Sequence, residues 1–215
     1  MYLCTSPSYP SIKAALDTQT LGLMCQPGSN RPRPEWIWAA DNGCFAAKWD
    51  KDRWLRWLDS DLPRGGCLFA TVPDVLGDHE RTLERWERHA PMVQTLGYPL
   101  AFVAQDGAAE GTVPWDGLDV LFIGGTTSWK LGPEVKELIV AAHVRGKLVH
   151  VGRVNSQGRF LAFAALGCDT ADGTYLAFGP DTNLPNLLGW IRHHRTQMSL
   201  ADLKARAEEG GEVQE

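Results

Sequence analysis

Residues 100–107 read Leu-Ala-Phe-Val-Ala-Gln-Asp-Gly, and residues 120–125 read Val-Leu-Phe-Ile-Gly-Gly. Each is a short apolar run closed at once by glycine or polar residues. A strand with one wet face alternates between apolar and polar side chains. A run that is apolar throughout is expected of a strand buried on both faces, as in a parallel sheet covered by helices. The same pattern recurs outward from these two, at Tyr2–Cys4, Leu21–Cys25, Trp36–Ala40, Cys67–Val72, Leu148–Val151 and Gly167–Thr170. The chain therefore carries eight candidate strands.

Helical patterns fill the intervals. Asp78–Leu96 carries Leu83, Trp86, Ala90 and Val93 three or four residues apart, with Arg and Glu on the other face. Pro133–Arg145 opens on proline and Glu134, keeps Val135, Leu138, Ile139 and Ala142 on one stripe, and stops at Gly146. Lys51–Leu58, Ser156–Leu166, Leu184–His194 and Ser199–Glu208 are further candidates. Alternating strands and helices imply right-handed crossovers and a parallel sheet. Eight strands predict a closed, compact (β/α)8 barrel of the TIM type, a single α/β domain over residues 1–198. A C-terminal helix and acidic tail, residues 199–215, would follow. With fewer true strands, an open doubly wound sheet is the competing arrangement.

The chain has 215 residues, enough for one sizeable core but near the lower limit for such a barrel. Its net charge of −5 excludes a generally basic nucleic-acid-binding surface, so such binding would need a local patch. Five unclustered cysteines argue against both a disulfide framework and a zinc site of the Cys-x-x-Cys type. They read as reduced thiols of a cytoplasmic protein, and neither a secretory leader nor a membrane span is expected.

Polar residues stand where the expected strands end: Asp41, Asp74, Gln105 and Asp106, Gly124 and Gly125, Arg153 and Asn155, then Asp169 and Asp172. In a β/α barrel all of these converge on the C-terminal face, where active sites are built. Crowded carboxylates raise one another's pKa and suit acid, base or nucleophile roles. An Asp after a strand is equally suited to cap the next helix, and Asp78 is best explained that way. Gly124-Gly125 can be a tight turn. His150, inside an apolar run, reads as a satisfied core histidine, and His193-His194 as solvated.

These segments, taken in order, resemble the tRNA-guanine transglycosylase superfamily. Asp41-Asn42-Gly43-Cys44-Phe45 is similar to that family's Asp-Ser-Gly-Gly-Phe, and Val72-Pro73-Asp74-Val75 matches the place of its second base-binding aspartate. Val103-Ala104-Gln105-Asp106-Gly107 is similar to Val-Gln-Gly-Gly, and Ile123-Gly124-Gly125 to its Gly-Gly turn. Val151-Gly152-Arg153 and Gly167–Asp172 resemble the late strands that carry the nucleophile. The family's zinc motif is absent, and Gly124-Gly125-Thr126-Thr127-Ser128-Trp129-Lys130 resembles instead the DNA 7-deazaguanine transglycosylases of phages and bacteria.

The resemblance implies guanine exchange in DNA for a 7-deazaguanine base such as preQ0, with no metal and no cofactor. It implies Asp172 as nucleophile, Asp41 as general acid/base, Phe45 as the stacking aromatic, and Asp74, Gln105, Gly124 and Gly125 as readers of the base. Lys130, Arg153 and Arg159 are candidate phosphate contacts, with Lys48 and Arg53 secondary. Hydrolysis of an N-glycosidic bond, a tRNA-directed exchange and a non-catalytic nucleic-acid-binding role are the competing functions. Oligomeric state is left open.

Overall fold

The computed structural model describes residues 1–46 and 49–194. Lys48, the expected helix over residues 199–208 and the acidic tail lie outside them. Eight strands close into a barrel in chain order: β1 (Tyr2–Cys4), β2 (Gly22–Cys25), β3 (Trp38–Ala40), β4 (Cys67–Thr71), β5 (Leu100–Ala104), β6 (Val120–Ile123), β7 (Leu148–Val151) and β8 (Thr170–Gly173). Every neighbouring pair is parallel, and β8 closes on β1 with Leu3 opposite Asp172. The eight-stranded (β/α)8 barrel expected from the apolar runs is the fold observed.

Between and outside the strands lie α1 (Pro10–Asp17), α2 (Lys51–Asp59), α3 (His79–Gln94), α4 (Thr127–Lys130), α5 (Pro133–Val144) and α6 (Gln157–Ala165). A last helix, α7, covers residues 180–194 of the described chain. α3 starts where its cap dictates: the Asp78 carboxylate accepts from the Arg81 amide at 3.0 Å, satisfying one of the four orphan donors of the first turn. α5 starts on Pro133 and buries Val135, Leu138, Ile139 and Ala142. α1 was not among the expected helices, although Pro10 at its first position and buried Ile12, Ala15 and Leu16 give it a start signal and a stripe.

Strand side chains alternate between two apolar regions. Outward-facing residues such as Val149, Val151 and Ile123 pack against the helices in the larger core. Inward-facing Leu3, Met24, Ala39, Phe69, Ala101 and Val120, with Phe122 against them, fill the barrel itself. The interior is thus plugged by side chains at its lower and middle levels, and its C-terminal mouth is left open.

One strand is displaced from its expected place. β8 spans Thr170–Gly173 instead of Gly167–Thr170. Asp169, expected to close the strand, precedes it and is structural: its Oδ2 accepts from the Val149 amide at 2.7 Å, and His143 lies 3.6 Å away. Asp172, expected just beyond the strand, is therefore one of its inward-facing residues. Among the described residues, no helix is long and apolar enough to cross a membrane.

Candidate active site

The C-terminal mouth holds a cavity of about 460 Å³. Asp41, Asp74 and Asp172 all line it, with Phe45, Gln105, Gly124 and Arg153. Strand period explains the convergence: Asp41, Gln105 and Gly124 each stand an even number of residues beyond Ala39, Ala101 or Val120, inward-facing residues of β3, β5 and β6. A second cavity, of about 520 Å³, opens at the opposite end beside Met1, Thr18, Cys168 and Asp169. Among the described residues, Asp169 is the one carboxylate that lines it, tied to the Val149 amide, whereas three carboxylates converge on the C-terminal cavity.

Asp41 is the most perturbed carboxyl there. Burial pushes it up to about 7; the charges of Asp172 and Asp74 add to the rise, and the Gly43 amide, 3.3 Å from Oδ1, opposes it. A carboxyl poised at neutrality can give up a proton and take it back. Burial also raises Asp74 above the usual carboxylate range, opposed by two side-chain amides and by Arg85. Asn42 Nδ2 donates to Asp74 Oδ1 at 2.9 Å and Gln105 Nε2 to Oδ2 at 2.6 Å.

Gln105 has a single amide orientation. Its Oε1 accepts from the Gly77 amide at 2.9 Å and the Gly125 amide at 3.0 Å, which turns Nε2 towards Asp74. Two of the residues read as base readers are therefore bonded to each other. Gly125 does not line the cavity, and its N–H is spent on Gln105, so its reading as a direct donor to a base is corrected to a support of Gln105. Gly124 does line it, and only glycine fits: a Cβ there would stand 2.5 Å from Val103 Cγ1 and 2.8 Å from Gln105 Nε2.

The basic residues divide. Lys130 is 2% exposed and its ammonium donates to the Gly152 carbonyl, so it does not reach out to a phosphate. That reading is corrected: the side chain is buried between α4 and the end of β7. Burial brings its ammonium down to about 8, with Arg153 lowering it further and Asp172 opposing. Arg153 sits at the rim with a left-handed backbone, φ 61°. Its guanidinium reaches the Gly125 carbonyl and lies 5.1 Å from the centre of the Phe45 ring. Arg159 is half-buried behind it, directed at the Arg153 carbonyl at 3.5 Å. Arg53, exposed, reaches the Pro27 carbonyl at 3.3 Å. Phe45 is 65% exposed, an aromatic face left at the mouth of the cavity.

Four residues matter here that strand-end reading missed. Asn42 and Arg85 support the Asp74 loop, Arg85 through the Asp74 carbonyl at 2.5 Å. Thr71 lines the cavity, and its buried Oγ1 has no partner among the described residues. His150, expected as a satisfied core histidine, is buried with both ring nitrogens partnered. It lies beside Asp172, with Nε2 3.0 Å from Oδ1. Its strand parity was the available signal, since Val149 and Val151 face the helices and the residue between them must face inward. Among the described residues no cluster of three or more metal-ligating side chains occurs.

No family model matches the chain, and no curated protein matches it. Solved structures do. A designed cube-shaped protein cage built by fusing symmetric oligomeric domains is similar with a TM-score of 0.59 at 14% identity, over 98% of this chain and 78% of that one. Tryptophan synthase from M. tuberculosis is similar with a TM-score of 0.51 at 14% identity, over 86% of each chain. At such identities the likeness establishes the barrel and nothing of its chemistry.

Proposed function

We propose that this chain is a DNA guanine transglycosylase, which exchanges guanine in DNA for a 7-deazaguanine base through a covalent aspartyl-glycosyl intermediate. The observation that carries the reading is the convergence of Asp172, Asp41 and Asp74 on one cavity, with an aromatic ring at its rim. An anionic carboxylate and a second carboxyl poised near neutrality are the two groups that a double displacement at a sugar carbon needs.

In the first half, Asp172 attacks C1′ as the C1′–N9 bond breaks, and protonated Asp41 supplies the proton that lets guanine leave neutral. In the second half, Asp41 carboxylate takes the N9 proton of the incoming deazaguanine. That nitrogen attacks C1′, and the Asp172–C1′ bond breaks. Protons and electron pairs balance over the cycle, and the sugar keeps its configuration. Asp74 is suited to accept from N–H groups on the edge of the purine, and Phe45 to stack on its face. A duplex substrate would have to present a flipped base, at a cost of a few kcal/mol.

The test is incubation of DNA with labelled preQ0. Wild-type protein incorporates label and Asp172→Ala does not. Incorporation by Asp172→Ala removes Asp172 as nucleophile, and guanine release without incorporation by the wild type makes the enzyme a hydrolase.

A further inference from the structure

Around Asp172 lies a set of buried polar groups that the exchange chemistry leaves unused. His150 is fully buried, edge-on to Phe122 at 4.4 Å between ring centres and beside Phe69 at 5.0 Å, so its ring has one slot. Its Nε2 lies 3.0 Å from Asp172 Oδ1 and its Nδ1 2.8 Å from Thr170 Oγ1. A carboxylate only accepts, so the Nε2 edge carries the proton. The Thr170 hydroxyl can donate or accept and completes the other edge.

A second donor reaches the same oxygen. The Arg153 amide lies 3.3 Å from Asp172 Oδ1. That N–H belongs to the Gly152–Arg153 peptide, whose carbonyl accepts from the buried Lys130 ammonium. A cation on the carbonyl polarises the peptide and strengthens its N–H as a donor. Gly152 allows the approach: a Cβ there would stand 3.3 Å from Asp172 Oδ1 and 2.6 Å from the Phe122 ring. Among the described residues no hydrogen bond is made to Oδ2.

We propose that His150 and Lys130 are positioning residues for Asp172, His150 directly and Lys130 through the Gly152–Arg153 peptide, so that Oδ1 is held and Oδ2 is the oxygen that attacks C1′. The inference rests on Asp172 being the nucleophile. Two donors on one oxygen stop rotation about Cβ–Cγ and aim the other at the cavity. They also receive the negative charge when the C1′–Oδ2 bond breaks in the second half-reaction.

Two measurements test it. The first uses unaltered protein with ¹⁵N-labelled histidine, and the expected long-range ¹H–¹⁵N pattern for His150 is a protonated Nε2. A deprotonated Nε2, the Nδ1–H tautomer, overturns the proposal whatever the variants do. The second is steady-state exchange by His150→Phe, His150→Gln and Lys130→Met, each checked for folding by thermal melting. Losing a hydrogen bond to a charged group predicts a fall in kcat of roughly tenfold to a hundredfold for His150→Phe. Lys130→Met should fall less, and KM for DNA should stay within about threefold in both. His150→Gln, whose Nε2 can donate from the same place, should recover most of the rate. Unchanged kcat in folded His150→Phe, or no recovery by Gln, overturns the proposal. Full exchange by Asp172→Asn would instead sink the nucleophile assignment on which it rests, so the two failures are told apart.

Discussion

Asp41 concentrates the conflict between stability and chemistry in a single side chain. Its carboxyl is pushed up to about 7, first by burial and then by its two carboxylate neighbours. A carboxyl with a raised folded-state pKa binds more protons folded than unfolded, so it costs stability as pH rises from about 4 through about 7, and the full cost stands above that. Asp41→Asn removes the ionisable group while keeping the shape. We predict that its Tm advantage over wild type is small at pH 4, grows up to pH 7 and is constant at pH 8, read by thermal melting across that range. The same variant should lose exchange activity. For the wild type, the rate of the first half-reaction should fall as pH rises above about 7, as Asp41 loses the proton it must donate. A first half-reaction that is flat or rising through pH 8 would remove Asp41 as the acid.

At the level of elements, three aspartates are tied to backbone amides that fix helix starts and strand approaches. Asp78 caps α3 and Asp169 ties β7 to the approach of β8. Asp106 accepts from the Thr126 amide at 2.7 Å and hydroxyl at 2.6 Å, holding the start of α4. Asp78→Ala should therefore cost about 1 kcal/mol, the usual worth of an N-cap, and lower Tm by a few degrees in a domain of this size. Its exchange rate should match wild type. A rate loss of more than tenfold at unchanged Tm would mean that Asp78 belongs to the site.

The barrel was legible because parallel strands buried on both faces leave near-continuous apolar runs, and seven of the eight stand where those runs put them. β8 was misplaced for a physical reason. Its residues, Thr170-Ala171-Asp172-Gly173, carry one apolar side chain, because both inward-facing positions, Thr170 and Asp172, are polar and bonded to His150, and Gly173 has no side chain. Convergence of Asp41, Asp74 and Asp172 was legible from strand ends. The roles of Lys130 and Gly125 were not, and for His150 only its inward direction was, since hydrogen bonds between neighbouring strands and loops decide them. Lys130 turns inward to the Gly152 carbonyl, Gly125 gives its N–H to Gln105, and His150 meets Asp172 across the β7–β8 pair.

The described residues form a barrel plugged below by Phe69, Phe122 and their neighbours and open above at three carboxylates. On such a frame the proposed exchange passes through a covalent bond to one of the three. Peptide mass spectrometry of protein quenched during turnover with guanine-containing DNA detects that bond. We expect a deoxyribosyl-DNA adduct on the peptide containing Asp172, absent in Asp172→Asn and discharged by added preQ0 with formation of modified DNA. An adduct mapped to Asp41 or Asp74, or exchange that proceeds with no adduct at all, would rule out Asp172 as the nucleophile.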